Sequence, residues 1–156
     1  MNAAHLHLIL THLPLFGSGF GLGLLLLGLL RGDACLARIS LWLFLLAGLA
    51  AIPSYLTGQP ANTLLMRRLP TSAMDSSDQH AEIAVVALTA ASILAVVALI
   101  GLVTYRQGKP VARWFTSLTL VLALATSGAM AWTANLGGRI RHTEILPELP
   151  SASVRE

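Results

Sequence analysis

Charge is scarce in this sequence: Asp, Glu, Lys and Arg make up 11% of its 156 residues, where a soluble domain carries roughly 25%. That shortage, together with 55% hydrophobic residues and a mean hydropathy of +0.73, excludes an ordinary globular protein. Cysteine is nearly absent as well. With Cys35 alone, a C-x-x-C-H haem attachment, an iron–sulfur cluster and an intrachain disulfide are all excluded, because each takes at least two thiols. Any cofactor is then held by nitrogen or oxygen ligands. A nucleophile–base motif and a phosphate-binding loop are also missing, so the chain reads as a carrier or subunit and not as a stand-alone enzyme. Acidic residues are fewer than basic ones, giving net +3 and a pI near 9.8. In so apolar a chain this excess points to membrane orientation and anionic lipid, not to nucleic acid.

What the sequence has in quantity is long apolar runs. Four of them, about 6–30, 39–56, 83–105 and 114–134, contain no Lys, Arg, Asp or Glu. Each is close to the ~20 residues that cross a hydrocarbon core of about 30 Å. The expected fold is all-α, an integral membrane four-helix bundle occupying 1–146, with an exposed tail over 147–156 that contains Pro147 and Pro150. The first run is preceded by Met1 to Ala4, which carry no positive charge, and it is too long for a signal-peptide core, so it reads as a retained helix.

The orientation follows from the basic residues. The short connections 31–38 and 106–113 hold Arg31, Arg38, Arg106, Lys109 and Arg113, while Arg67, Arg68, Arg139, Arg141 and Arg155 are spread over a longer loop and tail. The totals are equal, but density close to the helix ends favours the short connections inside. Both termini and every histidine then face outside, the periplasm of a bacterial inner membrane.

The longest expected connection is Thr57 to Gln79, with Gly58, Pro60 and Pro70 as breakers. Within it, Asp78, with Ser76 and Ser77, offers an N-cap for a third helix that opens on His80. Pro14 and Pro53 are expected to bend their helices. Trp42, Trp114 and Trp132 read as interface anchors or lipid-facing bulk. No internal repeat stands out, although a histidine opens helices in both halves.

All five histidines, His5, His7, His12, His80 and His142, fall at one end of the expected bundle. Ionisable side chains at membrane depth are costly to keep, which makes them the first candidates for function. At about 100° per residue, His5, His12, Gly19 and Gly23 share one stripe, and His7 points roughly 140° away from His12. His7 and His12 therefore cannot easily grip one ion together. On helix three, His80 stands above Ala84, Ala87 and Ala91. A histidine above a strip of small residues leaves a trough that a planar macrocycle fills. Plain close packing of membrane helices explains such strips equally well. Placed in the first turn of its helix, His80 is held neutral by the macrodipole. Arg139 and Arg141, just before His142, either anchor a helix end or pair with propionates through their charged forks. Glu82 and Glu144, each two residues beyond a histidine, are either orienting partners or solvated.

The stretch from His7 through His12 to Pro14, the histidine at position 80, and the closing Leu136-Gly137-Gly138-Arg139-Ile140-Arg141-His142 resemble a bacterial membrane family catalogued as a domain of unknown function. Its members are four-helix proteins, sometimes fused to c-type cytochrome domains. The resemblance covers nearly the whole chain. It departs at His7-Leu8, where such proteins commonly show histidine followed by proline. It implies a four-helix membrane protein binding b-type haem through these histidines.

Three functional readings follow. In the first, the chain is a membrane b-type cytochrome that binds one or two bis-histidine haems near the periplasmic face. It passes electrons between quinol, or a larger membrane complex, and a partner such as a c-type cytochrome. His12 and His80 are the expected axial ligands, with His7 and His142 as a second pair or as neighbours. Gly19, Gly23, Arg139 and Arg141 complete the expected cofactor site. In the second, His12, His80 and His142 hold copper, zinc or iron without haem, all three metals being suited to imidazole. In the third, the chain is a structural accessory subunit of a larger redox complex.

Overall fold

The computed structural model describes residues 2–66, 74–105 and 111–141. They form α1 (Ala3–Arg31), α2 (Ala34–Met66), α3 (Met74–Thr104) and α4 (Arg113–Arg141), with no strand among the described residues. Each of the four is long and apolar enough to cross a membrane, so the chain is a multi-pass membrane protein in contact with lipid. Neighbouring helices run antiparallel in a closed ring. α1 packs on α2 and α4, and α3 packs on the same two, so α1 and α3 lie on one diagonal.

Local chemistry fixes the helix ends. The Asn2 side chain accepts from the His5 amide at 2.9 Å and opens α1. At the other end Gly32 takes the left-handed conformation (φ 66°). Its N–H then reaches Leu29 O, while the N–H of Asp33 reaches Gly28 O at 2.9 Å, closing the helix as a Schellman turn. The Asp33 carboxylate at once accepts from the amides of Cys35 (2.8 Å) and Leu36 (3.2 Å), capping α2. Two residues thus end one helix and start the next.

The helices overrun the expected spans. α2 continues through Gly58 and Pro60 to Met66, and α3 starts at Met74, so most of the connection expected over 57–79 is helical. Asp78 lies inside α3 and is not its cap, and His80 sits beyond the first turn, which weakens the macrodipole argument for it. Tertiary contacts outweigh the local breakers here: Ala61 is buried, and buried Ser77 donates to Asn62 Oδ1 at 3.0 Å, tying the start of α3 to the end of α2. The tail 147–156, the residues Arg67, Arg68, Arg106, Lys109, His142 and Glu144, and the Arg141 side chain lie outside what is described.

Small residues fill much of the core around a few large ones, Phe44, Leu25 and Leu94 among them. Ala47, Ala51, Ala87, Ala91 and Ala98 are buried, whereas Leu30, Phe20, Leu56, Val103 and Trp114 face outward. Lipid solvates apolar side chains, so burial is won by close backbone approach and not by hydrophobicity. A Cβ on Gly21 would come within 2.5 Å of the buried Phe44 ring, and one on Gly17 within 3.0 Å of Ala47 Cβ. Trp42, Trp114 and Trp132 are all exposed.

Candidate functional site: a histidine pair across the bundle

Two of the histidines meet. His7, near the start of α1, and His80, near the start of α3, are both partly buried. Their ring centroids are 6.4 Å apart and their planes nearly perpendicular, at 86°. They meet edge-on from the two helices of one diagonal.

Each imidazole is anchored by the helix beside it. His7 Nδ1 lies 2.9 Å from Ser54 O and 3.2 Å from Thr57 Oγ1 on α2. His80 Nδ1 lies 2.9 Å from Thr133 O on α4. A backbone carbonyl only accepts, so Nδ1 carries a proton in both rings, and Nε2 is the nitrogen left for another partner. No described side chain or backbone group hydrogen-bonds either Nε2. An imidazole whose second nitrogen donates to a carbonyl is how proteins orient metal-ligating histidines and raise their basicity.

A glycine lies beside each ring. A Cβ on Gly58 would stand 3.4 Å from His7 Cε1, and one on Gly137 would stand 3.3 Å from His80 Cε1. Ser54, Thr57, Gly58 and Thr133 were not expected from sequence as site residues. The signal that could have found them is the recurrence of a hydroxyl residue followed four positions later by glycine, Ser54 with Gly58 and Thr133 with Gly137.

The remaining candidates are placed elsewhere. His12 is exposed. Its Nδ1 bonds to Leu8 O of its own helix at 2.6 Å, and its ring stacks on Phe16 with centroids 5.9 Å apart. It lines an open, otherwise apolar groove of about 490 Å³ between α1 and α2, together with Phe16, Gly17, Leu46 and Ala47. Gly19 and Gly23 share its outward face, with nothing within 4 Å of a Cβ built on either. The stripe expected to receive a cofactor beside His80 therefore faces outward, and the histidine that lies near His80 is His7, not His12. His5 is exposed, as is Glu82. The Arg139 guanidinium lies over the Trp132 ring, 5.9 Å from its centroid, which gives it a cation–π anchor.

Among the described residues no cluster of three or more His, Cys, Asp or Glu is arranged to hold a metal ion. No known protein family, curated protein or solved structure matches this chain.

Proposed function

We propose that this chain is a membrane electron-transfer protein of the b-type cytochrome kind, holding a haem between His7 and His80. The observation that carries the reading is the adjacent pair itself, with both Nδ1 atoms committed to carbonyls and neither Nε2 hydrogen-bonded by a described residue. Were His7 and His80 to hold one metal ion between their Nε2 atoms, bonds of about 2.0–2.1 Å and a ring radius of about 1.1 Å would put the ring centroids about 6.3 Å apart. The 6.4 Å separation fits that requirement. A haem with both axial positions filled by histidine supplies reversible one-electron transfer and not oxygen activation.

The chain's own part is to hold and to exclude. Backbone carbonyls of α2 and α4 fix the two rings, and a glycine lies beside each of them. Thr57 Oγ1 donates to Pro53 O and Ser54 O at 2.9 Å, so it braces the stretch of α2 that carries His7's anchor. Density of Arg and Lys at the opposite end of the bundle favours the histidine end, with both termini, on the outer face of a bacterial inner membrane. There it is accessible to a c-type cytochrome or to a larger complex, with quinol as the electron source in the bilayer.

An absorption spectrum of the full chain purified in detergent tests the reading. A reducible Soret band with a sharp alpha band supports it. Stoichiometric copper, zinc or iron without those bands replaces it with a non-haem metal protein, and neither leaves a structural subunit.

A further inference from the structure

The four helices carry a relation that neither half shows alone. The shift along the chain that takes His7 to His80 also takes Pro14, Ser18, Gly21, Leu25 and Gly28 of α1 to Ala87, Ala91, Leu94, Ala98 and Gly101 of α3. All ten are buried. A second shift, the one that takes Ser54 to Thr133, takes Ala37, Ser40, Phe44, Ala47 and Ala51 of α2 to Thr116, Thr119, Ala123, Thr126 and Met130 of α4. These ten are buried as well. The same second shift takes Gly58 to Gly137. Stripes of buried residues repeat about every seven positions along packed helices, so a stripe matches under about one shift in seven. Here the stripe, the histidine, the carbonyl that anchors it and the glycine beside it all coincide under one shift for each helix pair.

We propose that α1–α2 and α3–α4 are two copies of one helical hairpin, related by a half-turn about the bundle axis, and that each copy supplies one equivalent histidine seat for a single ligand on that axis. The seats are His7 on Ser54 O and Gly58, and His80 on Thr133 O and Gly137. Parallel repeats about an axis along the membrane normal are an established way of building membrane proteins, with the site at the repeat interface. The relation also selects the ligands by an argument independent of distance. His12 corresponds to Val85 and His5 to Asp78, so neither has a symmetric mate, whereas His7 and His80 are each other's. Gly58 and Gly137 are accordingly positioning residues, acting through the imidazoles. The ligand class is a planar complex with two equivalent axial faces, and this part rests on the haem reading above.

The two copies are not identical in detail. Thr57, whose hydroxyl reaches His7 Nδ1, corresponds to Leu136, so His80 lacks that second neighbour. The two imidazoles are equivalent in placement and unequal in hydrogen bonding.

The test uses the full chain labelled with ¹⁵N-histidine in detergent micelles, read by NMR before and after addition of haem b. Before haem, His7 and His80 are expected in the Nδ1–H form. Gly58→Val should release His7 alone, and Gly137→Val should release His80 alone. Gly128→Val, at a position where a Cβ meets nothing within 4 Å, should leave both unchanged. Each seat variant should weaken haem binding by about tenfold or more, the range for loss of a group that orients a metal ligand. Should either valine prevent insertion, Gly58→Ala and Gly137→Ala serve instead. Their Cβ atoms would touch the rings at 3.4 and 3.3 Å, so the expected response is a shift of the resonances of the adjacent histidine alone and not its release, and alanine favours a helix over glycine by roughly 0.5–1 kcal/mol. If neither imidazole responds to its own glycine, or only one does, the equivalence is overturned. If both respond but haem is not taken up, the duplicated seats stand and the haem reading falls.

Discussion

Arg38 Nη1 donates to the carbonyl of Tyr105 at 2.5 Å, so a cation from α2 closes the end of α3 at the face opposite the histidines. The carbonyls of a last helical turn have no partner within their own helix, and a guanidinium meets both that need and the negative end of the macrodipole. Arg38 has therefore a structural duty besides its place among the basic residues of that face. Arg38→Ala should destabilise the bundle by about 1–2 kcal/mol, and Arg38→Lys by less. Denaturant or SDS titration of the purified chain checks this. Equal stability of Arg38→Ala and the parent would show that lipid or water replaces the bond.

For ligation, the geometry separates His7 and His80 from His12. His7→Ala and His80→Ala should each lower haem content by about tenfold or more, or leave high-spin spectra, while His12→Ala keeps the parent spectrum. Haem loss in His12→Ala with retention in His7→Ala would move the site to the outer groove beside Phe16.

The exposed thiol of Cys35 reports topology without any substitution. It lies at the turn between α1 and α2, next to Arg31 and Arg38. A membrane-impermeant maleimide should label it only after cells are permeabilised. Labelling in intact cells would invert the orientation proposed from charge density.

Arg139 is held over Trp132 at the end of α4 that carries His80's anchor, Thr133. When the site takes up an electron its charge becomes more negative, and a nearby cation favours that state. A unit charge at 4 Å is worth from about 1 kcal/mol in water to about 4 at an effective dielectric near 20, and less farther away. Arg139→Gln should therefore lower the midpoint potential by tens of millivolts, against about 59 mV for a tenfold one-electron shift. The effect should shrink as salt rises, because exposed charges are screened within about 10 Å at 0.1 M. An unchanged redox titration with full haem content would assign Arg139 to the headgroup region alone.

Composition and run length were enough to establish the membrane bundle. Each apolar stretch had to become a helix, because only a helix satisfies its own backbone in lipid. Helix ends were less legible: Gly58 and Pro60 read locally as breakers, yet Ala61 and the Asn62–Ser77 bond hold the helix past them. The histidine end was also visible from sequence, but the pairing was not. Helical angles place His7 opposite His12 without saying which of the two looks inward. That depended on which face of α1 could approach α2 most closely, and Gly17 and Gly21, fitted against Ala47 and Phe44, turn His7 inward and leave Gly19, Gly23 and His12 outside. The anchors Ser54 and Thr133 were hidden for a plainer reason. They act through backbone carbonyls, which every residue has, so only the meeting of helices could single them out.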